Sequence, residues 1–208
     1  MLGWKAMDEV FSIFLKTFGG PVGQQEVPKS SIERYKGKLP DLLLHYWSEH
    51  GWCGYGEGIF WMVNPQEYEG VTASWIQGTE FENQDTYHLI ARSAFGELYF
   101  WGEETGASLK ITSIVSRCTT FISSLPKDQM DKRFQNFLLS AEVEYNDFDN
   151  LFQPAKKTLG TLSCDEMYGF VPAIMLGGSD ALDNLKKVRS VEHLVFLSQL
   201  SDLEVYDF

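Results

Sequence analysis

The chain is short of the residues that most often do chemistry. Its three cysteines, Cys53, Cys118 and Cys164, stand far apart, in no CxxC or Cys/His spacing. That excludes a recognisable zinc site or disulfide framework, and free buried thiols are expected. Four histidines, His45, His50, His88 and His193, are the natural general bases, yet none sits in HExxH or at a metal-ligand spacing from a cysteine or carboxylate. Basic residues are scarce as well: 17 against 29 acidic ones, for a net charge of −12. Such a surface repels nucleic-acid phosphates and favours a basic protein partner. No apolar run reaches the roughly 18 to 20 residues of a membrane span. The N-terminus lacks a basic region followed by a compact apolar one and a cleavage site, so a cytoplasmic protein without membrane contact is expected.

The remaining motif searches also return little. "GGSDA" at Gly177–Ala181 lacks the second glycine of a nucleophile elbow, and Ser179 or Asp180 reads better as a helix cap. "NDFDN" at Asn146–Asn150 resembles half of a calcium loop, but no glycine stands at the sixth position and no glutamate at the twelfth. Carboxylates are abundant, but abundance does not single out a catalytic pair. No cofactor, metal or catalytic residue is expected, and the protein is expected not to be an enzyme.

What the chain does have is aromatic and apolar mass, 14% and 44% of its residues, enough for a sizeable core. Met7, Val10, Phe11, Phe14, Leu15 and Phe18 fall on one face of an amphipathic helix that "GGP" at Gly19–Pro21 ends. A second helix is predicted over about Pro40–His50, with proline in its first turn and Gly51 as its C-cap. The stretch Gly51–Pro65, "GWCGYGEGIFWMVNP", follows that helix and leads into a buried strand. A phosphate cradle needs the reverse order, glycines leading into a helix N-terminus. The glycines therefore read as a helix-to-strand loop carrying exposed aromatics.

Farther on, a short helix is predicted around Gln66–Ser74, followed by a hairpin in "DTYHLIARSAFGELYFWG" with its turn near Ala94–Glu97 and a further strand at "SLKITSIV". "PKDQMDKRFQNFLLSA" returns to helical spacing, with Met130, Phe134, Phe137 and Leu138 on one face. The acidic stretch "EVEYNDFDNLF" then joins two halves. Beyond it lie a short helix near Leu151–Leu159, the extended run "EMYGFVPAIML", a strand at Leu185–Arg189 and a closing helix, "SVEHLVFLSQL". Without a regular βαβ rhythm the fold class is α+β: mixed helices and a mainly antiparallel sheet in two packed subdomains, 1–145 and 146–208.

In its phrases and their order the chain resembles a known pair of domains. "FGGPVGQQEVPKSSIERYKGKLPDLLLHYWSEHGWCGYGEGIFWMVNP" and "YHLIARSAFGELYFWGE" are similar to the GAD-like domain. "PAKKTLGTLSCDEMYGFVPAIMLGGSDALDNLKKVRSVEHLVFLSQL" resembles the C-terminal domain of the type VI secretion DNase-immunity family. The likeness runs from about residue 7 to residue 203. A weaker likeness links the middle of the chain to the SUKH-type immunity superfamily.

The resemblance implies a bacterial immunity protein that binds and blocks a cognate toxin, often a DNase, and it supplies no catalytic residues. The expected partner is a basic toxin domain, with the free protein a monomer or weak dimer; an adaptor or chaperone for a secreted cargo, or an uncharacterised hydrolase, is the alternative. Candidate contacts are Trp52, Tyr55 and Glu57 on the glycine-rich loop, Glu103 and Glu104 after the hairpin, and Glu142, Glu144, Asp147 and Asp149 in the acidic stretch.

Overall fold

The computed structural model describes residues 2–206, with side chains from Glu9 onward. Among the described residues ten strands and seven α-helices alternate irregularly. The strands are β1 (Val22–Gln25), β2 (Trp52–Tyr55), β3 (Phe60–Met62), β4 (Tyr87–Ser93), β5 (Glu97–Gly102), β6 (Gly106–Thr112), β7 (Arg117–Thr120), β8 (Glu166–Phe170), β9 (Leu185–Arg189) and β10 (Glu204–Val205). The helices are α1 (Leu2–Phe18), α2 (Lys29–Tyr35), α3 (Asp41–His50), α4 (Glu69–Ile76), α5 (Met130–Ser140), α6 (Phe152–Leu159) and α7 (Ser190–Ser198). β1 to β7 form one antiparallel meander in chain order, and β10 adds to the β7 edge in parallel. β8 and β9 make a separate hairpin. The fold is therefore α+β, with a mainly antiparallel sheet.

Both faces of the sheet are buried, and the period of two in its strands decides which residue goes where. In β3 and the residue after it, Phe60 and Met62 join one hydrophobic cluster while Trp61 and Val63 join the other; in β5, Trp101 lies with the first and Leu98 and Phe100 with the second. A bulge in β4 between Leu89 and Ala91 lets Ile90 and Ala91 face the same side. The first cluster takes Phe11, Phe14 and Phe18 of α1, the apolar face of α3, and Phe134 and Leu138 of α5. The second takes Val71 and Trp75 of α4 and Leu194 and Leu197 of α7. Each cluster includes residues from both sides of position 145. Met7, expected on the α1 face, lies outside the described side chains.

The glycine-rich stretch is where the structure departs most from expectation. Gly51 ends α3 as predicted: its N–H donates to the Trp47 carbonyl at 2.9 Å, and its φ of 75° is open to glycine. A side chain there would also strike the Gln25 carbonyl of β1. The next four residues do not form a loop, however. They are β2, which pairs with β1 on one side and β3 on the other. Gly54 lies opposite Trp61, and an added Cβ would stand 2.9 Å from the indole. Gly23 and Gly58 border the same ring, whose Nε1 donates to the Gly58 carbonyl at 2.7 Å. The glycines thus cradle a tryptophan of the chain itself.

One charged group is fully enclosed in that second face. Arg92 of β4, cross-strand partner of Trp61, holds its guanidinium 5.6 Å from the indole centroid. Its Nε donates to the Tyr68 hydroxyl at 2.9 Å, one terminal nitrogen to the Ser93 carbonyl at 3.2 Å, and the other to the carbonyls of Cys164 and Glu166, both at 2.8 Å. The Tyr68 hydroxyl is 3.0 Å from Ser190 Oγ at the start of α7. The central sheet is thereby tied to the segment that leads into β8.

The Glu166 side chain closes the β8–β9 hairpin, accepting from the Ser163 N–H at 3.0 Å and from the Lys187 ammonium at 2.9 Å. Burial alone would raise its pKa, but these donors outweigh it and bring the carboxyl from 4.5 down to about 2. Because the folded value is depressed, its contribution to stability is complete above the unfolded value and is lost as pH falls through the folded one. The Tm difference between wild type and Glu166→Gln should thus be constant near neutrality and shrink between pH 4.5 and pH 2. A difference that persists undiminished at the acid end would show that ionisation of this carboxyl is not its cause.

Candidate functional site

The nine candidate contact residues do not form one surface. Trp52 and Tyr55 are corrected first: they lie in β2, 5% and 1% exposed, and not on a loop. The glycines around them read as flexible in sequence, but β1 and β3 pair on both sides and fix the backbone. Trp52 meets Trp47 edge to face at 5.8 Å, and Tyr55 meets Phe14 in the same way at 5.0 Å. Burial and the neighbouring Cys53 push the Tyr55 hydroxyl pKa far up, so the group stays neutral.

Glu57 alone of that trio reaches solvent. It sits in the turn between β2 and β3 at a φ of 60°, bonded by the Lys156 ammonium at 2.7 Å and by Gln153 Nε2 at 2.9 Å. Those two donors, Lys156 first, lower its pKa. Lys156 and Gln153 belong to α6, which follows the acidic stretch, so Glu57 and that stretch share one end of the molecule. The stretch itself is braced. Asn146 is buried, with its Oδ1 accepting from the Tyr99 hydroxyl at 3.0 Å and its Nδ2 donating to the Glu142 carbonyl at 2.7 Å. Asp147 accepts from the Phe152 N–H at 2.8 Å and so satisfies an amide at the start of α6. Phe148 packs on Phe95 and Phe170. Glu142, Glu144 and Asp149 are exposed and make no ion pair among the described residues, and Tyr145 stands 63% exposed between them.

Glu103 and Glu104 lie at the other end of the sheet. β3 begins opposite Ser93, whereas the β5–β6 turn follows the Tyr87–Gly102 pair; six residues of β4 separate these points, about 20 Å of strand. The Asp85 carboxylate builds that turn by accepting the N–H groups of Glu104 and Thr105 and the Thr105 hydroxyl, so both glutamates hang from a fixed backbone. Glu103 is half-buried and 2.9 Å from His88 Nε2. Glu104 is exposed and paired with Lys127.

His50 stacks on Phe11 and His193 is half-buried with its Nε2 enclosed; desolvation lowers the pKa of both, favouring the neutral rings. Cys53 and Cys118 are buried and Cys164 half-buried, none of them in a disulfide, with the Cys53 and Cys164 pKa values raised by burial. Among the described residues no group of three His, Cys, Asp or Glu side chains could hold a metal ion. Ser179 Oγ accepts from the Ala181 N–H at 3.1 Å, a turn-capping role. No described helix is long and apolar enough to cross a membrane.

Two features escaped the sequence reading. One is the buried Arg92, visible in principle as a lone cation inside the apolar run of a central strand. The other is the pair Phe121 and Ile122, 51% and 99% exposed, which nothing in the sequence distinguishes from core residues.

Two family models match this architecture. The GAD-like domain matches residues 9–115, and the C-terminal domain of the type VI secretion immunity protein Tdi1 matches residues 131–201. Arg92 lies in the first match, and its acceptors Cys164 and Glu166 lie in the second. The crystal structure of Atu4351 from Agrobacterium tumefaciens superposes with a TM-score of 0.83 over 93% of this chain and 90% of that one, at 23% sequence identity. That likeness is one of fold. No curated protein matches. The GAD-like model matches more than half of the chain, which therefore belongs to the GAD-like domain family, and residues 131–201 are similar to the Tdi1 immunity C-terminal domain.

Proposed function

We propose that this protein is an immunity protein of the type VI secretion system, which neutralises a cognate nuclease toxin, most simply a DNase, by tight association in the cytoplasm and without chemistry of its own. The observation that carries the reading is the match of residues 131–201 to the Tdi1 immunity domain. Charge supports it: a nuclease needs a basic groove for its phosphodiester substrate, and a partner of net charge −12 is drawn to such a groove by the same field. Co-expression with the product of the adjacent gene, the candidate toxin, tests the reading. Growth should be restored, and a purified one-to-one complex should have lost DNA cleavage. A folded protein that neither rescues growth nor binds that toxin sinks it.

The acidic stretch then acts at long range. Reversing Glu142 and Glu144 to lysine moves the net charge from −12 to −8 and disturbs no ion pair among the described residues. Asp147 and Asp149 are excluded from this test, because one satisfies the start of α6 and the other holds a φ of 47°. Association with the toxin should slow several-fold at low salt, by about tenfold at most, and the deficit should fade above about 0.5 M salt. Dissociation should be unchanged. An unaltered association rate at low salt would leave the acidity of this segment as a matter of solubility.

A further inference from the structure

A groove of about 630 Å³ opens beside the β5–β6 turn, between that turn, the segment after α4 and the end of β7. Its apolar walls are Phe81, Tyr87, Phe121, Ile122 and Val205. Phe81 and Tyr87 are core residues that reach it with little exposed surface, but Phe121 is half in water and Ile122 stands 99% exposed. The exposed pair is not on a loose tip. The Phe121 N–H donates to the Ser108 carbonyl at 2.8 Å, which carries the β6–β7 ladder one residue beyond β7. A few residues on, the Arg133 guanidinium bonds the carbonyls of Leu125 and Glu104, so the segment after Ile122 is fastened to α5 and to the β5–β6 turn. A braced segment that offers its largest apolar side chain to solvent has met the ordering cost of binding in advance. An apolar centre with a polar rim is the usual anatomy of a protein interface.

The rim selects the occupant. Glu80 and Glu104 line the groove and are exposed, Glu104 beside its partner Lys127, with Glu82 and Glu103 on the same two segments. Arg133 contributes the one cation of the lining, and its guanidinium is turned to backbone carbonyls. A second copy of the chain would bring another −12 of charge to this rim, and a nucleic acid or an anionic membrane would be repelled likewise. A basic protein would not. We infer that this groove, and not the acidic stretch about 20 Å of strand away at the opposite end of the sheet, is the docking site for the toxin, which inserts an apolar side chain against Phe121 and Ile122 and sets flanking lysines or arginines against Glu80 and Glu104. The inference rests on the immunity reading above and deepens it by naming the surface.

The test uses the full-length protein and the catalytically inactivated domain of the toxin identified by that co-expression. Ile122→Asp removes the most exposed apolar side chain and should leave the Tm unchanged. It should weaken binding by about 30-fold or more, chiefly through faster dissociation, as expected for an interface hot spot. Glu104→Lys should weaken it further, while Glu144→Lys at the far end should change only the low-salt association rate. Three outcomes overturn the inference. Binding by Ile122→Asp within twofold of wild type would remove the groove from the interface but leave the immunity reading intact. Conversion of a wild-type dimer to monomer by the substitution, with toxin affinity unchanged, would make the ridge a self-association surface. Failure of the folded wild-type protein to bind the toxin at all would remove both readings together.

Discussion

Replacing Arg92 by leucine is expected to lower the midpoint of thermal unfolding by about 6 to 12 °C. The guanidinium is fully buried and meets no carboxylate among the described residues, so its charge is compensated by four hydrogen bonds to neutral oxygens, at 2.8 to 3.2 Å, and by the face of Trp61. Each hydrogen bond to a charged group contributes about 1.5 to 3 kcal/mol, so four are worth several kcal/mol in gross. Leucine recovers the cost of burying the charge but leaves the Tyr68 hydroxyl and the carbonyls of Cys164 and Glu166 without this donor. We take the balance as a loss of about 3 kcal/mol, at 2 to 4 °C per kcal/mol for a chain of this length. Arg92→Lys should fall between the two, since one ammonium cannot reach oxygens on Tyr68, Ser93, Cys164 and Glu166 together. The damage should be local as well: amide exchange should quicken in β8 and α7 before it does in β5 and β6. An unchanged midpoint, or uniform loss of protection, would refute Arg92 as the tie between the central sheet and the C-terminal elements.

Elements with a strong period were legible before the fold was known. Phe11, Phe14 and Phe18 mark the buried face of α1, Phe134 and Leu138 that of α5, and the hairpin of β4 and β5 turns at Ala94–Gly96 as its residues suggest. β9 was read to the residue. The elements that were missed lack such a period for identifiable reasons. β1 is an edge strand, exposed at all four residues, so no hydrophobic alternation marks it. β2 carries a glycine inside it because Trp61 needs the room, and that glycine reads as a loop. β7 and β10 are four and two residues long. α2 begins after Pro28 and buries only Ser31 and Tyr35.

The candidate surface was harder to read, because exposure is a property of the tertiary fold. Nothing local separates Trp52, which is enclosed, from Ile122, which is almost wholly in water. Charges are different. Glu142, Glu144 and Asp149 were expected at the surface and are there, since ionised carboxylates without partners cannot be buried cheaply. Sequence therefore located the acidic stretch but gave no view of the groove at the opposite end, whose lining comes from five separate segments of the chain.

Truncating Trp52 to alanine separates packing from binding most sharply, because its two readings predict opposite results. The indole is 5% exposed, lies against Trp47 and lies in a strand paired on both sides. Deleting a buried tryptophan side chain costs about 3 to 5 kcal/mol, which here corresponds to a fall in Tm of roughly 6 to 20 °C. Its Nε1 has no hydrogen-bond partner among the described residues, so the loss is one of packing, and Trp52→Phe should recover much of it. Toxin affinity, measured well below the lowered midpoint, should stay within about twofold of wild type, because the side chain has almost no surface to offer a partner. The contrast with Ile122→Asp is then complete: one variant loses stability and keeps affinity, the other keeps stability and loses affinity. A tenfold loss of affinity in Trp52→Ala with an unchanged Tm would mean that β2 opens to admit the toxin, and would return Trp52 and Tyr55 to the interface.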